Sequence, residues 1–173
     1  MLKPKAIFLG DGPIFEVYDK QTIARLNERF AFLSGDETRA AEYIFSTWGM
    51  PALSEEDIKT RFPALKAVFY AAGSVQGFAR PLLRGGVRVF SAWAANAIPV
   101  VEFTAAQIVL ANKGYFQGLR RQQAEGRAAF SKYTAGQPGN YHVPVGIIGA
   151  GMIGKFLIQL LQPYNFELWV HDP

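Results

Sequence analysis

Residues 145–172 carry the pattern that most constrains what this chain can fold into. Val145-Gly146-Ile147-Ile148 has the composition of a buried strand, Gly149-Ala150-Gly151-Met152-Ile153-Gly154 supplies a glycine turn, and residues 155–162 continue as a helix. Phe166-Glu167-Leu168-Trp169-Val170 reads as a second strand, and Asp172 lies just past its end, 18 residues after Gly154. A G-x-G-x-x-G alone is a weak signal. Between a strand and a helix, with an acid closing the next strand, it is the unit that holds a dinucleotide. Gly149 permits the tight turn, Gly151 lets a pyrophosphate approach the backbone, and Gly154 lets the helix lie close against the strand. The helix start then offers unpaired N–H groups and a positive dipole end to the phosphates. Asp172 can accept hydrogen bonds from the ribose hydroxyls and would repel an added 2′-phosphate, which favours NAD over NADP. The competing reading is a glycine-rich βα turn in some other α/β protein.

Upstream, short apolar segments alternate with helical ones. Residues 5–9 form an apolar strand closed by Gly10-Asp11-Gly12-Pro13, and a helix to about residue 30 places Ile23, Leu26 and Phe30 on one face. Strands are expected at 32–33, 42–46, 65–70 and 87–90, and Ser54-Glu55-Glu56-Asp57 starts a short helix with a capping box. This alternation predicts an α/β fold with a parallel sheet covered on both faces. Pro99, near a first turn, opens a long helix over residues 100–115 that is apolar almost all round and so expected to be buried on more than one face. A polar connection over residues 122–141 leads to the glycine turn. The composition divides the chain into residues 1–98 and 99–173.

Half the residues are hydrophobic and 18% are charged, as in ordinary globular proteins, and there is no cysteine to form disulfides or thiolate metal sites. No metal site is expected. The first residues lack a signal-peptide core, and the longest uncharged stretch, 89–101, is too short to span a bilayer. A cytoplasmic protein without membrane association is expected. Lys113, Arg120, Arg121, Arg127 and Lys132, set against Glu125, account for the whole net charge of +4. With neither a groove-entering helix nor stacking aromatics evident, this stretch reads as a solvated helix end and connecting loop, and nucleic acid is not an expected partner.

Three motifs, in order, resemble the D-isomer-specific 2-hydroxyacid dehydrogenase family. They are Leu65-Lys66-Ala67-Val68-Phe69-Tyr70-Ala71-Ala72-Gly73-Ser74-Val75, Ala95-Asn96-Ala97-Ile98-Pro99-Val100-Val101-Glu102-Phe103-Thr104, and the glycine turn with its strand-end acid. The resemblance covers residues 45–172. It implies a flavodoxin-like parallel-sheet substrate domain followed by the start of a Rossmann-type NAD-binding domain. It also implies hydride transfer between NAD and C2 of a 2-oxo or D-2-hydroxy acid. The backbone N–H groups of Ala72, Gly73 and Ser74 would bind the substrate carboxylate, Gly151, Met152 and Ile153 would lie under the pyrophosphate, and Asp172 would hold the ribose. Asn96 and Val100 would line the cleft near the cofactor; a cap at the helix start is the plainer role for Asn96. The chain departs from the family at Val75-Gln76, where many members have Asp-Asn, and at Pro99, where many have Ser.

The family's catalytic Arg, acid and His lie downstream of the strand-end acid, so no catalytic residue is assigned within these 173 residues. His142 and His171 read as solvated or structural. The native polypeptide is expected to continue past Pro173, and this chain alone to be inactive. The alternatives are a non-catalytic NAD(H)-sensing or corepressor-like interaction protein on the same scaffold, and an oligomerisation module. The apolar stretch 100–110 suits a homodimer interface or a domain core equally. Trp48 is a candidate wall for the substrate's R-group, although rim packing is the commoner use of such a residue.

Overall fold

The computed structural model describes residues 2–173, which divide into two compact units at the boundary between Asn96 and Ala97. The first unit holds β1 (Lys5–Phe8), α1 (Ile14–Val17), α2 (Lys20–Arg29), β2 (Ala31–Phe32), a 3-10 turn (Gly35–Ala40), β3 (Tyr43–Ser46), α3 (Glu55–Arg61), β4 (Ala67–Tyr70), α4 (Ala79–Arg84) and β5 (Arg88–Ser91). All five strands are parallel, in the order β2-β1-β3-β4-β5, the flavodoxin-like arrangement.

Strand alternation sorts the core into two layers. Ile7, Ile44 and Val68 point to one face and pack with Leu53, Ile58, Phe62 and Leu82 around α3 and α4. The next residue of each strand forms the other face. Phe8, Phe45, Phe69 and Phe90 are register partners across four strands, with Phe45, Phe69 and Phe90 stacked at 5.1–5.2 Å between ring centroids. Ile14, Tyr18, Ile23, Leu26 and Phe30 from α1 and α2 pack on that layer. Burial of each such side chain contributes about 1.5–3 kcal/mol.

The single helix expected before residue 30 is two. Asp19 takes an extended conformation and its carboxylate accepts from Thr22 N–H at 2.7 Å, so it caps a second helix where the first stops. The Ser54/Asp57 capping box forms as expected. Helix α4 was not expected; Pro81 lies early in it, where a missing N–H costs little.

The second unit contains most of α5 (Trp93–Asn112), then α6 (Tyr115–Glu125), α7 (Arg127–Ala135), β6 (Val143–Ile148), α8 (Met152–Leu161) and β7 (Phe166–His171). Three expectations are corrected here. First, α5 begins at Trp93 and runs through Pro99, so proline does not open it. Second, its buried residues are Ala97, Val101 and Ala105, a single stripe at helical spacing, while Ile98 and Phe103 are exposed. By length and composition α5 could cross a membrane, with mean hydropathy 1.5. Val101 and Ala105 instead pack with Ile147 of β6 and Leu157 and Leu161 of α8.

Third, the supposed polar connection is a helical hairpin. Gly126, at φ +91°, makes the turn between α6 and α7, and Gly118 lets the helices approach, since a Cβ there would come within 2.9–3.0 Å of Phe130 and Thr134. Its aromatics pack within the hairpin, with Tyr115 edge-on to Phe130 and Arg121 over Tyr133. The glycines and charges that read as a loop are a helix contact and its solvated faces.

Strands β6 and β7 pair in parallel over six residues, Val143↔Phe166 to Ile148↔His171. Val145, Ile147, Phe166 and Leu168 belong to the packed cluster. Ile148, on the other face of the sheet, is 87% exposed and Trp169 68%. The strand at 145–148 is therefore covered on one face, not buried on both.

Candidate functional site

Two backbone-lined sites form, one in each unit, and both sit at the carboxyl ends of parallel strands. In the first unit the point where strand order reverses, between β1 and β3, is closed by glycine loops. A Cβ on Gly12 would lie 1.8 Å from the Trp48 carbonyl oxygen, and one on Gly49 would lie 2.3 Å from Asp11 Oδ1. The free loop is the neighbouring one, Ala71 to Val75, after β4. Its start is anchored by Ala71 N–H donating to the Ser46 carbonyl at 2.8 Å, and Ala72 is fully buried.

Ser91, the last residue of β5 and register partner of Tyr70, donates its hydroxyl to the carbonyl oxygens of Ala72 at 2.9 Å and Gly73 at 2.5 Å. Every peptide bond here is trans, so N–H and C=O of one peptide point in opposite directions. With both carbonyls turned to Ser91, the N–H groups of Gly73 and Ser74 turn away from it. Among the described residues nothing accepts from the N–H of Ala72, Gly73 or Ser74. Successive unpaired N–H groups of this kind make an anion-binding concavity.

Asn96 is brought to this loop, since a Cβ on Gly73 would lie 3.1 Å from its Nδ2. Asn96 lies within the first turns of α5, its own N–H donating to Ala92 O at 2.9 Å, so it does not cap the helix. Val100 follows one turn later and is partly exposed. Trp48 lies on the loop after β3 and is half exposed.

In the second unit the glycine turn joins β6 to α8. Gly149 has φ +93°, which disfavours any side chain, and its N–H donates to the His171 carbonyl at 2.7 Å, extending the strand pairing. A Cβ on Gly154 would lie 2.0 Å from Gly149 O, so helix and strand are as close as glycine allows. A Cβ on Gly151 would meet nothing within 4 Å; that side of the turn is open. The first bond of α8 is Lys155 N–H to Gly151 O at 2.9 Å, and among the described residues nothing accepts from Met152, Ile153 or Gly154 N–H. Helix α8 thus begins at Met152, three residues earlier than expected, because the glycine turn itself enters the helix. Asp172 reaches back across the turn, Oδ1 accepting from Ala150 N–H at 3.1 Å. An open glycine turn, three unpaired N–H groups and a fixed carboxylate fit the diphosphate and ribose of a dinucleotide.

The histidines stand apart from this chemistry. His142 precedes β6, at the end of that strand opposite the turn. It has φ +52°, and its Nδ1 lies 3.7 Å from Glu167 Oε1. His171 contributes its carbonyl to Gly149, and the residue is exposed. Sequence reasoning missed Ser91. The signal available was a serine closing the strand after β4, where parallel register sets it beside the loop's carbonyls.

Neither protein-family models nor curated sequences give a significant match to the chain. Solved structures do. The NAD-dependent formate dehydrogenase of Staphylococcus aureus, in complex with NAD, is 22% identical with a TM-score of 0.71, over 98% of this chain and 56% of that one. A D-2-hydroxyisocaproate dehydrogenase is 17% identical with TM-score 0.71, over 98% and 53%. The NADPH-dependent glyoxylate/hydroxypyruvate reductase of Sinorhizobium meliloti, in complex with NADP and malonate, is 15% identical with TM-score 0.69, over 98% and 53%. The chain has the fold of the D-2-hydroxyacid dehydrogenases. It spans just over half the length of these similar proteins.

Proposed function

We propose that this chain forms the substrate-carboxylate and dinucleotide-binding portion of an NAD-dependent 2-hydroxyacid dehydrogenase. The observation that carries the reading is the glycine turn at 149–154, open at Gly151, closed at Gly154 and spanned by Asp172. Gly149, Gly151, Met152, Ile153 and Gly154 would take the pyrophosphate through backbone N–H groups, and Asp172 the ribose. Residues 1–98 would take the carboxylate of a small 2-oxo or 2-hydroxy acid on Ala72, Gly73 and Ser74. Asn96 would stand beside the carboxylate and, with Val100, near the nicotinamide. The bound dinucleotide would supply or accept the hydride at substrate C2.

Hydride transfer to a 2-oxo acid also requires a cation to orient the substrate and a proton donor at the carbonyl. We assign these to further sequence of the whole protein, in keeping with the bare apolar face of β6–β7 at Ile148 and Trp169. The reading extends to a cytoplasmic homodimer, which sedimentation of the purified protein checks.

Cofactor choice is the direct test. The fold hosts either dinucleotide, since one of the similar structures is NADPH-dependent and another NAD-dependent. Selection should therefore rest on Asp172. One of its oxygens is engaged by Ala150 N–H, leaving the other for the ribose. Asp172→Asn, with its amide oxygen on Ala150, would present an NH2 donor and gain affinity for NADPH, whereas Asp172→Ala would lose affinity for both. The measurement is titration with NADH and NADPH by fluorescence; equal affinities in the wild type would overturn the assignment. With the whole protein, oxidation of NADH against a panel of 2-oxo acids tests the activity.

A further inference from the structure

We propose that Ser91 is the positioning residue that shapes the carboxylate-binding loop; this rests on the carboxylate reading above. Two consecutive carbonyls, Ala72 O and Gly73 O, would ordinarily diverge, and each would seek a separate donor. Here a single hydroxyl gathers both, at 2.9 Å and 2.5 Å. The consequence is fixed by peptide planarity: the N–H groups of Gly73 and Ser74 are turned together to the side away from Ser91. That side carries no internal acceptor for either group. A loop with two adjacent N–H groups aimed the same way binds an anion through both, and a carboxylate has two oxygens to offer.

The supports of Ser91 are rigid. It ends β5 opposite Tyr70, and the Ala92 N–H donates to the Tyr70 carbonyl at 2.9 Å, so the serine cannot swing away without breaking the sheet. On the loop side Ala72 is fully buried, and Gly73 is held against Asn96 with no room for a Cβ at ordinary contact distance. The hydroxyl therefore sets the carbonyl directions of a segment whose position is already fixed at both ends. Ser91 itself would touch no substrate atom.

The test uses the 173-residue chain with pyruvate as probe, following the backbone amide resonances of Gly73 and Ser74 by NMR. In the wild type both amides should shift on titration. Ser91→Ala should weaken pyruvate binding about tenfold, the worth of roughly one well-oriented hydrogen bond. Ser91→Thr, which keeps the hydroxyl, should restore it, and NADH affinity should be unchanged in both variants. A merely structural role would lower hydrogen-exchange protection of β4 and β5 in step with the loss of pyruvate binding. If the wild-type amides do not respond to pyruvate, the carboxylate reading fails and this inference with it. If they respond but Ser91→Ala binds as tightly as wild type, Ser91 alone is misassigned. Should Ser91→Ala fail to fold, Ser91→Cys, with a weaker donor on the same frame, must show intermediate affinity for the inference to stand.

Discussion

The loop after β4 and the turn after β6 both offer rows of backbone N–H groups at the carboxyl end of a parallel strand, yet they are built differently. The β4 loop is shaped from beneath: Ala72 is buried, Ser91 holds two carbonyls, and the sheet below it is packed on both faces. The β6 turn is shaped by what is missing. Gly149 supplies a backbone angle that side chains rarely take, and Gly154 a closeness no Cβ permits, over a sheet packed on one face only. A scaffolded loop tolerates ordinary residues because its neighbours hold it. A glycine-built turn holds its own shape but depends on Gly149 and Gly154 having no side chain.

The largest test of this contrast is cavity formation in each core. Leu82→Ala and Leu161→Ala, both at fully buried positions, should each cost about 3–5 kcal/mol. Residue-resolved hydrogen exchange should lose protection across β1, β3, β4 and β5 in the first variant and across β6, α8 and β7 in the second. Loss spreading through both units from either change would show that they do not fold as separate bodies.

Next in size, Gly154→Ala should destabilise the second unit by about 3 kcal/mol, since the new Cβ meets a backbone oxygen that cannot step aside. Gly151→Ala has open space and should leave the denaturation midpoint within about 0.5 kcal/mol of wild type while weakening NADH binding. Equal destabilisation by the two would contradict the division of labour between these glycines.

A pH experiment isolates the first unit. Burial pushes the Tyr18 hydroxyl up to about 12. The folded value exceeds the unfolded one, so the stabilisation is complete below pH 10 and lost as pH rises to about 12. That loss should amount to about 2–3 kcal/mol. Tyr18→Phe should flatten this part of the stability profile, and an unchanged slope would remove Tyr18 as its source.

A modest loss of stability is expected at Gly73→Ala. The added Cβ meets only the end of the Asn96 side chain at 3.1 Å, which can shift, so about 1 kcal/mol of stability is expected to go. Pyruvate binding should fall far more than stability, whereas Ala71→Gly, at the anchored end of the loop, should leave it intact.

Much was legible in residue order because it depends on local chemistry. The alternation of apolar segments announced the parallel strands, Ser54 and Asp57 announced their helix, and the glycine spacing with Asp172 announced the turn. Where the reading failed, distant contacts decided. The glycines and charges of residues 114–135 have the composition of a loop, and only the approach of Phe130 and Thr134 to Gly118 makes them a hairpin. Pro99 looked like a helix start, but α5 had already begun at Trp93 and carries the proline in its interior, without the N–H that would bond to Ala95.

The sequence by itself determined the fold class and the chemistry of the glycine turn, since backbone freedom and apolar period are properties of short segments. The tertiary structure alone decided that Ser91 lies under the Ala72 and Gly73 carbonyls and that Asp172 reaches back to Ala150. It also decided that α5 buries one stripe and not several. Each of these depends on strand register or helix packing between residues far apart in the chain, and no local pattern encodes where such partners meet.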